Sequence, residues 1–217
     1  MDIKEAIVKR RSVRAFSEVA PDKSLVLEIL DVARWAPTHC NTQAVKFIII
    51  DDAELKQKIV GMGGSVIIKN APIGILVSYS NLSDNIEYLD YIQSASAVIQ
   101  NVLLYSYSKG LATCWVAHLP RKSDLQKLFN IPQTYDPIAY ILMGYPKKEP
   151  KEVPRKYKIE EITGYNNTTV DSASQKTRRD MIQIKSKLRK AYYKLPTPIK
   201  RLLNPIVDRL FVNKFEN

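Results

Sequence analysis

Four short apolar runs, separated by stretches with helical spacing, constrain the fold of this 217-residue chain more than any other feature. The runs are Val45–Ile50, Pro72–Tyr79, Leu111–Val116 and Pro137–Met143. Runs of this length bounded by turn residues predict buried strands. The segments between them differ in length, and no glycine fingerprint follows a strand. The pattern therefore favours an α+β sheet sandwich over a doubly wound parallel sheet.

Helices are predicted around these strands. They run from Asp2 toward Arg10, from near Asp22 to before Pro37, from Tyr88 to Lys109 and from Ser123 to Phe129. Asp2 and Glu5 have the spacing of a capping pair, and Gly110 is placed to end the long helix. The proline- and lysine-rich run Tyr145–Lys158 can form neither a regular helix nor a central strand, so we expect an extended surface arm.

Composition narrows the class of protein. The chain is 45% hydrophobic and 25% charged, which is ordinary for a globular protein and excludes collagen, wholesale disorder and a membrane-spanning bundle. Two cysteines, Cys40 and Cys114, are too few for a disulfide framework, which favours a reducing compartment. Residues 1–14 lack the apolar core of a signal peptide, so we expect a cytoplasmic protein.

Positive charge is concentrated at the C-terminal end. Residues 171–217 carry 12 Lys and Arg against 4 Asp and Glu, a net of +8, which leaves +3 for residues 1–170. Apolar residues recur there at steps of three and four, which predicts basic amphipathic helices. Two interpretations are open: the helices pack on the body or a partner subunit, or residues 176–211 contact an anionic membrane surface. No nucleic-acid-binding module accompanies the charge, so we expect no nucleic acid partner.

Three arginines and a hydroxyl lie within five residues at the end of the first helix, in Arg10-Arg11-Ser12-Val13-Arg14. Guanidinium groups bind phosphate through two parallel hydrogen bonds and keep their charge, which makes the cluster a candidate phosphate site. A solvated basic helix end explains the same residues equally well. The cluster alone does not decide between these interpretations.

Several further motifs follow this cluster in order. They are Ala33-Arg34-Trp35-Ala36-Pro37-Thr38, Asn41-Thr42-Gln43 before a strand, Gly110-Leu111-Ala112-Thr113-Cys114-Trp115, Gly144-Tyr145-Pro146 and Pro154-Arg155-Lys156. In this order the motifs resemble the FMN-dependent nitroreductase family over about residues 1–166. The resemblance implies an FMN-binding domain over residues 1–168. The charge and apolar spacing of the remainder predict a basic helical extension over residues 169–217, for which the resemblance offers no counterpart.

The resemblance implies a homodimer of α+β subunits, each with an antiparallel sheet flanked by helices and with the long helix in the dimer interface. FMN would lie at the subunit boundary. The implied activity is an oxidoreductase that passes hydride from NADH or NADPH, through flavin N5, to a nitro, quinone or similar conjugated small-molecule acceptor. A specialised dehydrogenation or dehalogenation is a third option within the family.

The same resemblance assigns site residues. Arg10, Arg11 and Ser12 would hold the FMN phosphate and ribityl chain, with Arg155 and its neighbour Lys156 as further phosphate cations. Arg14 would lie near the N1 and C2 carbonyl edge of the flavin, where reduction leaves negative charge that a fixed cation stabilises.

Two other segments are assigned with an alternative beside each. Asn41 and Gln43 match polar flavin contacts, although Asn41 as a turn cap and Gln43 as an exposed residue fit the residues too. The backbone at Ala117 and His118 matches the loop that approaches flavin N5. His118 is either a surface histidine or a weak candidate proton donor, so no side chain is assigned as catalytic.

No metal cluster, catalytic triad or phosphate-binding glycine loop competes with the flavin hypothesis in this sequence. His39 and Cys40 stand where the family has small residues, and their roles stay open. The alternative function is a flavin-binding scaffold with little turnover, recruited to a membrane assembly by its basic tail. The sequence does not choose between NADH and NADPH.

Overall fold

The computed structural model describes residues 1–167 and 176–211. The α-helices there are α1 Ile3–Lys9, α2 Lys23–Ala33, α3 Ala53–Gly61, α4 Asp90–Ser108, α5 Lys122–Phe129, α6 Lys176–Lys194 and α7 Thr197–Phe211. The strands are β1 Val45–Ile50, β2 Ile73–Ser80, β3 Ala112–Val116 and β4 Tyr135–Gly144. Short 3-10 helices span His39–Asn41, Val66–Asn70 and Ile159–Ile162. The described residues divide into one compact unit of 1–150 with 197–211, and another of 151–167 with 176–196.

The four strands form one sheet in the order β1-β2-β4-β3, and every neighbouring pair is antiparallel. Ile48 lies opposite Leu76, which lies opposite Tyr140, so the apolar runs meet in the middle of the sheet. A bulge between Val77 and Ser78 shifts the register of β2 against β4. The α+β class with an antiparallel sheet is therefore confirmed.

Each face of the sheet is covered by its own apolar core. On one face α2 and α4 pack against alternate residues of β2 and β4, among them Ile75, Val77 and Ile141. On the other face α3, the 3-10 helix Val66–Asn70 and α5 enclose the opposite set, including Leu76 and Leu142. The central strands β2 and β4 are buried on both faces because helices cover both, which explains why they read as nearly continuous apolar runs.

Gly74 shows how tightly the second of these faces is packed. A Cβ at this position would lie 1.7 Å from Oη of Tyr140, which is fully buried on the neighbouring strand. No real side chain tolerates such a distance, so only glycine fits beside this ring.

Element boundaries agree with the sequence prediction to within about two residues, apart from α2, which ends at Ala33. Gly110 follows α4 with φ at +77° and donates to the carbonyl of Tyr107, as a C-terminal cap does. One capping prediction is wrong in detail: Asp2 occupies the N-cap of α1 without a side-chain bond, and Glu5 pairs with Lys9. α5 begins one residue before its predicted start, at Lys122.

The predicted tail helices are present as α6 and α7. Within the first unit, α7 packs against α3 and the 3-10 helix Val66–Asn70, and Lys200 of α7 is buried. Burial lowers the pKa of Lys200, the charge of Arg121 lowers it further, and Asp124 opposes both. Packing on the body therefore holds for α7. The predicted domain boundary at 168 and 169 lies outside the described residues.

Candidate functional site

The segment 10–17, which contains the arginine cluster, continues from α1 along the edge of the sheet. Ser12 forms a bridge with Thr113 on the side of β3 that β4 leaves open, and Phe16 forms a second bridge with Pro146. The backbone bonds that hold it are Val13 N to Thr113 O at 3.0 Å, Ser17 N to Tyr145 O at 2.9 Å and Lys147 N to Ala15 O at 3.1 Å. The arginines are therefore carried by backbone that the sheet fixes.

Arg11 and Arg14 present buried guanidinium N–H groups. The Nε atoms of both are buried and have no hydrogen-bond partner among the described residues. Arg11 uses its Nη1 to donate to the carbonyls of Val8 at 2.6 Å and Arg10 at 2.8 Å, which caps the end of α1. Buried polar groups without partners are rare, and one explanation is a ligand that the protein is built to receive. These two groups fit the oxygens of an anion.

The thiol of Cys114 on β3 lies close enough to Arg10 and Arg14 for their charges to affect its pKa. Burial raises the pKa of the Cys114 thiol, and the positive charges of Arg14 and Arg10 only partly oppose that rise. A thiol with a raised pKa stays protonated and unreactive at neutral pH. Two arginines separated along the sequence thus place their positive potential on the same strand.

The segment that follows β3 contains two of the predicted residues. Ala117 is exposed, His118 is half-buried, and the carbonyl of His118 accepts a bond of 3.0 Å from the amide of Ser65. Because β3 pairs with Ser12 at one end and leads into Ala117 at the other, one strand connects the arginine segment to this loop.

Residues 38–43 form an exposed and conformationally unusual loop between α2 and β1. Cys40, Asn41 and Gln43 have φ values of 43°, 54° and 47°, although none is glycine. Such conformations cost of order 1 kcal/mol each for non-glycine residues and persist only where the surroundings impose them. Nε2 of Gln43 donates to Oδ1 of Asn41 at 2.9 Å, so the two predicted amides face each other.

Two buried side chains impose this conformation. Tyr79 Oη lies 2.9 Å from Thr42 Oγ1 and accepts from the amide of Ala44 at 3.3 Å. Ser94 Oγ accepts from the amide of His39 at 2.9 Å and lies at the same distance from its Nδ1. The loop is therefore anchored to β2 and α4, while Asn41 and Gln43 point outward and are exposed.

Arg155 and Lys156 lie in the second compact unit, and both side chains are exposed. The ammonium of Lys156 lies 5.2 Å from the centre of the Tyr157 ring, a cation–π contact. Residues 145–158 contain no helix or strand, as expected for an extended arm. The assignment of Arg155 and Lys156 to a phosphate stays a prediction.

Sequence reasoning missed the residues that hold these segments in place. Asn70 donates from Nδ2 to the carbonyl of Arg14 at 3.0 Å, across 56 positions of sequence. Tyr79 and Ser94 anchor the loop 38–43, and both sit inside segments predicted only as a strand and a helix. The one local signal was Asn70 shortly before Pro72, a combination typical of turns.

Two features are absent from the described part of the chain. No group of three or more His, Cys, Asp and Glu residues there is arranged to hold a metal ion. Within the same residues, none of the helices combines the length and apolar character that crossing a bilayer requires.

This chain is an α+β protein, with an antiparallel sheet between two helical layers and an arginine-rich segment along the open edge of that sheet. The model of the nitroreductase family matches residues 7–62 and 61–145. A protein from Methanothermobacter thermautotrophicus, whose name contains the terms NADH dehydrogenase and NAD(P)H nitroreductase, is 31% identical over 154 residues, 69% of this chain and 80% of the relative. The chain therefore belongs to the nitroreductase family, whose members are oxidoreductases.

Other similar proteins are consistent with membership of the nitroreductase family. The solved structure of a nitroreductase family protein from Clostridium difficile 630 is 28% identical and covers 77% of this chain and 99% of its own, with a TM-score of 0.67. A Bacillus subtilis protein named FMN reductase (NAD(P)H) is 21% identical over 173 residues, 71% of this chain and 70% of the relative.

Proposed function

We propose that this protein is an FMN-dependent oxidoreductase that takes hydride from NADH or NADPH and reduces a nitro, quinone or similar conjugated acceptor. Family membership and the name of the Bacillus subtilis relative support the cofactor and the reductant. The observation that carries the proposal is that the buried Nε–H groups of Arg11 and Arg14 have no hydrogen-bond partner among the residues that the structure describes. When bound, FMN supplies the two-electron chemistry between the two substrates.

The arginine segment would hold the cofactor at two places, the phosphate and the N1 and C2 carbonyl edge of the flavin. Arg10, Arg11 and Ser12 bind the phosphate and ribityl chain, and the sequence resemblance assigns Arg155 and Lys156 as further phosphate cations. Arg14 places its cation at the N1 and C2 carbonyl edge, where it stabilises negative charge that develops on reduction. The fixed backbone of residues 12–17 supports this role because a cation preorganised in place does not have to move as charge appears.

The two remaining segments would contact the ring system. The backbone of Ala117 and His118 approaches N5, and the hydrogen bond from Ser65 keeps that loop in position. Asn41 and Gln43 are exposed on an anchored loop, which suits contacts made to a flavin in the partner subunit. His118 remains either a half-buried loop histidine or a donor of a proton to the reduced acceptor.

A homodimer is part of the proposal. Exposed apolar side chains on α1, on and just after α2, and in the segment before α4 support it, because a partner subunit that covered them would remove their apolar area from water. They include Ile3 at 70%, Leu27 at 58%, Trp35 at 77%, Ile86 at 78% and Tyr88 at 66% exposure. A second copy would cover such a surface and bring Asn41 and Gln43 to its partner's flavin. Sedimentation velocity at micromolar concentration tests this directly, and a monomer would contradict it.

The visible spectrum of the purified protein tests the central proposal. We expect flavin absorbance after incubation with FMN, and rapid anaerobic bleaching when NADH or NADPH is added. Protein that stays colourless would contradict the cofactor assignment. Flavin that binds but is not reduced at a useful rate would instead support the alternative scaffold function.

The phosphate assignment has its own test. Changing Arg10→Ala together with Arg155→Ala should weaken FMN binding at least about 100-fold, since each charge-assisted bond contributes about 1.5–3 kcal/mol. Lys46→Ala together with Lys127→Ala removes the same charge from exposed positions of the body and serves as the control. Equal affinities in the two double variants would contradict the assignment.

We propose in addition that residues 1–168 form the FMN-binding domain and that residues 169–217 extend it for peripheral contact with an anionic membrane from the cytoplasmic side. The supporting observation is α6, which carries eight basic residues and one acidic residue. Ile184 and Leu188, one turn apart on that helix, are 59% and 63% exposed. Lys187 and Lys190 are exposed beside them, a pattern typical of helices that lie on membranes.

Co-sedimentation of the full chain with vesicles tests this second proposal. Vesicles with 30% anionic lipid should retain the protein, and purely zwitterionic vesicles should not. Ile184→Ser with Leu188→Ser should weaken retention by about tenfold, because apolar area of two side chains no longer enters the bilayer. Retention that is equal on both lipid mixtures, or unchanged in the variant, would contradict the proposal.

A further inference from the structure

The segment 65–72, which joins α3 to β2 and includes the 3-10 helix Val66–Asn70, is bonded to two separate parts of the candidate site. At its start, the amide of Ser65 donates to the carbonyl of His118 at 3.0 Å. Near its end, Nδ2 of Asn70 donates to the carbonyl of Arg14 at 3.0 Å. One short segment thus contacts both the arginine segment and the loop after β3.

The bond from Asn70 adds a side-chain contact at the carbonyl of Arg14, between backbone bonds that already hold the segment. On either side of Arg14, the amide of Val13 donates to Thr113 and the carbonyl of Ala15 accepts from Lys147. The carbonyl between them belongs to Arg14, and the side chain of Asn70 is what it bonds to. The bond holds the Arg14–Ala15 peptide and thereby restrains the backbone from which the Arg14 side chain extends.

Asn70 itself sits on rigid backbone. The Nζ of Lys56, a residue only 6% exposed, donates to the carbonyls of Ala71 at 3.0 Å and Pro72 at 2.6 Å. Ile67 and Ile68 of the same segment are buried in the core, and α7 packs against it. An exposed side chain on a fixed main chain can orient a neighbour while contributing little to the stability of the whole protein.

We propose that Asn70 is a positioning residue that aims Arg14 at the flavin. The proposal rests on the proposed function, because it needs Arg14 to face the edge where negative charge develops. A cation that is held in one direction stabilises that charge more than one that must reorganise. Asn70 therefore acts on the reduced form of FMN more strongly than on the oxidised form.

Asn70→Ala tests this in the full-length holoprotein. Oxidised FMN should bind about threefold more weakly than to the wild type, and reduced FMN should lose a further factor of about 10. A tenfold difference between the two forms lowers the two-electron midpoint potential by about 30 mV. Gln126→Ala is the matched control, because Gln126 also donates one amide bond to a backbone carbonyl, that of Tyr135 at 2.9 Å.

A second measurement does not depend on flavin. Amide hydrogen exchange in the apoprotein should speed up within residues 13–17 for Asn70→Ala and not for Gln126→Ala. Midpoint potentials that agree between the two variants would overturn the positioning role, even if both bind FMN more weakly. Wild-type protein that binds no FMN would contradict the proposed function, whereas a wild type that binds FMN beside an unchanged Asn70→Ala contradicts this inference alone.

Discussion

Two basic regions of this chain carry positive charge in different ways. In the arginine segment 10–14, Arg11 and Arg14 are half-buried, and sheet hydrogen bonds hold the backbone from Val13 onward. In α6, Lys187, Lys190 and Lys194 are exposed on one helix beside uncovered aliphatic residues. The first arrangement holds charge on fixed backbone and partly shields it from water, and the second leaves it exposed and hydrated.

This difference predicts different ligands for the two regions. Fixed guanidinium groups with unpartnered N–H atoms suit one small anion of defined shape. Exposed lysines on a helix suit an anionic membrane, because its charge is spread over the surface and its interior accepts apolar side chains. Total charge therefore says less about function here than how the charge is held.

The largest effect should come from the arginine segment. Arg10→Ala with Arg14→Ala is expected to weaken FMN binding by at least about 100-fold, because two charge-assisted contacts are lost. Flavin fluorescence titration measures it. Lys187→Ala with Lys190→Ala removes equal charge from α6 and should leave the affinity within twofold. Equal losses in both variants would mean that FMN responds only to net charge, and the distinction between the regions would fail.

The converse experiment concerns the membrane surface. Lys187→Ala with Lys190→Ala should lower the partition coefficient on vesicles with 30% anionic lipid about 30-fold, since each basic residue near such a surface contributes about 1 kcal/mol. Arg10→Ala with Arg14→Ala should leave partitioning unchanged. If the arginine variant loses as much binding as the lysine variant, α6 is not the contact surface.

Sequence patterns predicted the sheet better than the site, for a physical reason. Burial on both faces makes the run Pro137–Met143 of β4 apolar throughout, so composition alone marks it. The positive φ values of Cys40, Asn41 and Gln43 arise from bonds to Tyr79 and Ser94, which are distant along the chain. The bond of Asn70 to Arg14 has the same origin. Contacts of this kind depend on the finished fold and leave no local pattern.

Ionic strength should separate the regions by a smaller factor. Raising NaCl from 0.05 M to 0.5 M shortens the Debye length from about 14 Å to about 4 Å, which screens exposed charges most. We expect vesicle partitioning to fall about tenfold and FMN affinity to fall less than threefold. Sedimentation and fluorescence assays in the same buffers measure both. A steeper salt dependence for FMN than for vesicles would contradict the buried character of the arginine site.

The smallest expected effect concerns the stability of the apoprotein, and it separates the structural role of Arg11 from its role in binding the anion. Arg11 spends Nη1 on the carbonyls of Val8 and Arg10 at the end of α1, where a cation also interacts favourably with the helix dipole. Arg11→Ala should therefore lower the stability of the apoprotein by about 1 kcal/mol, which corresponds to roughly 2–4 °C in Tm for a chain of this size. The exposed Lys190→Ala should change Tm by less than about 1 °C, because it lies on an open helix face.

Thermal denaturation must be followed without FMN, because a ligand that binds only the folded state raises Tm by mass action and would merge the two roles of Arg11. An apoprotein whose Tm is unchanged by Arg11→Ala would show that the capping bonds do not contribute to stability, so that binding the anion would be the only role left for Arg11.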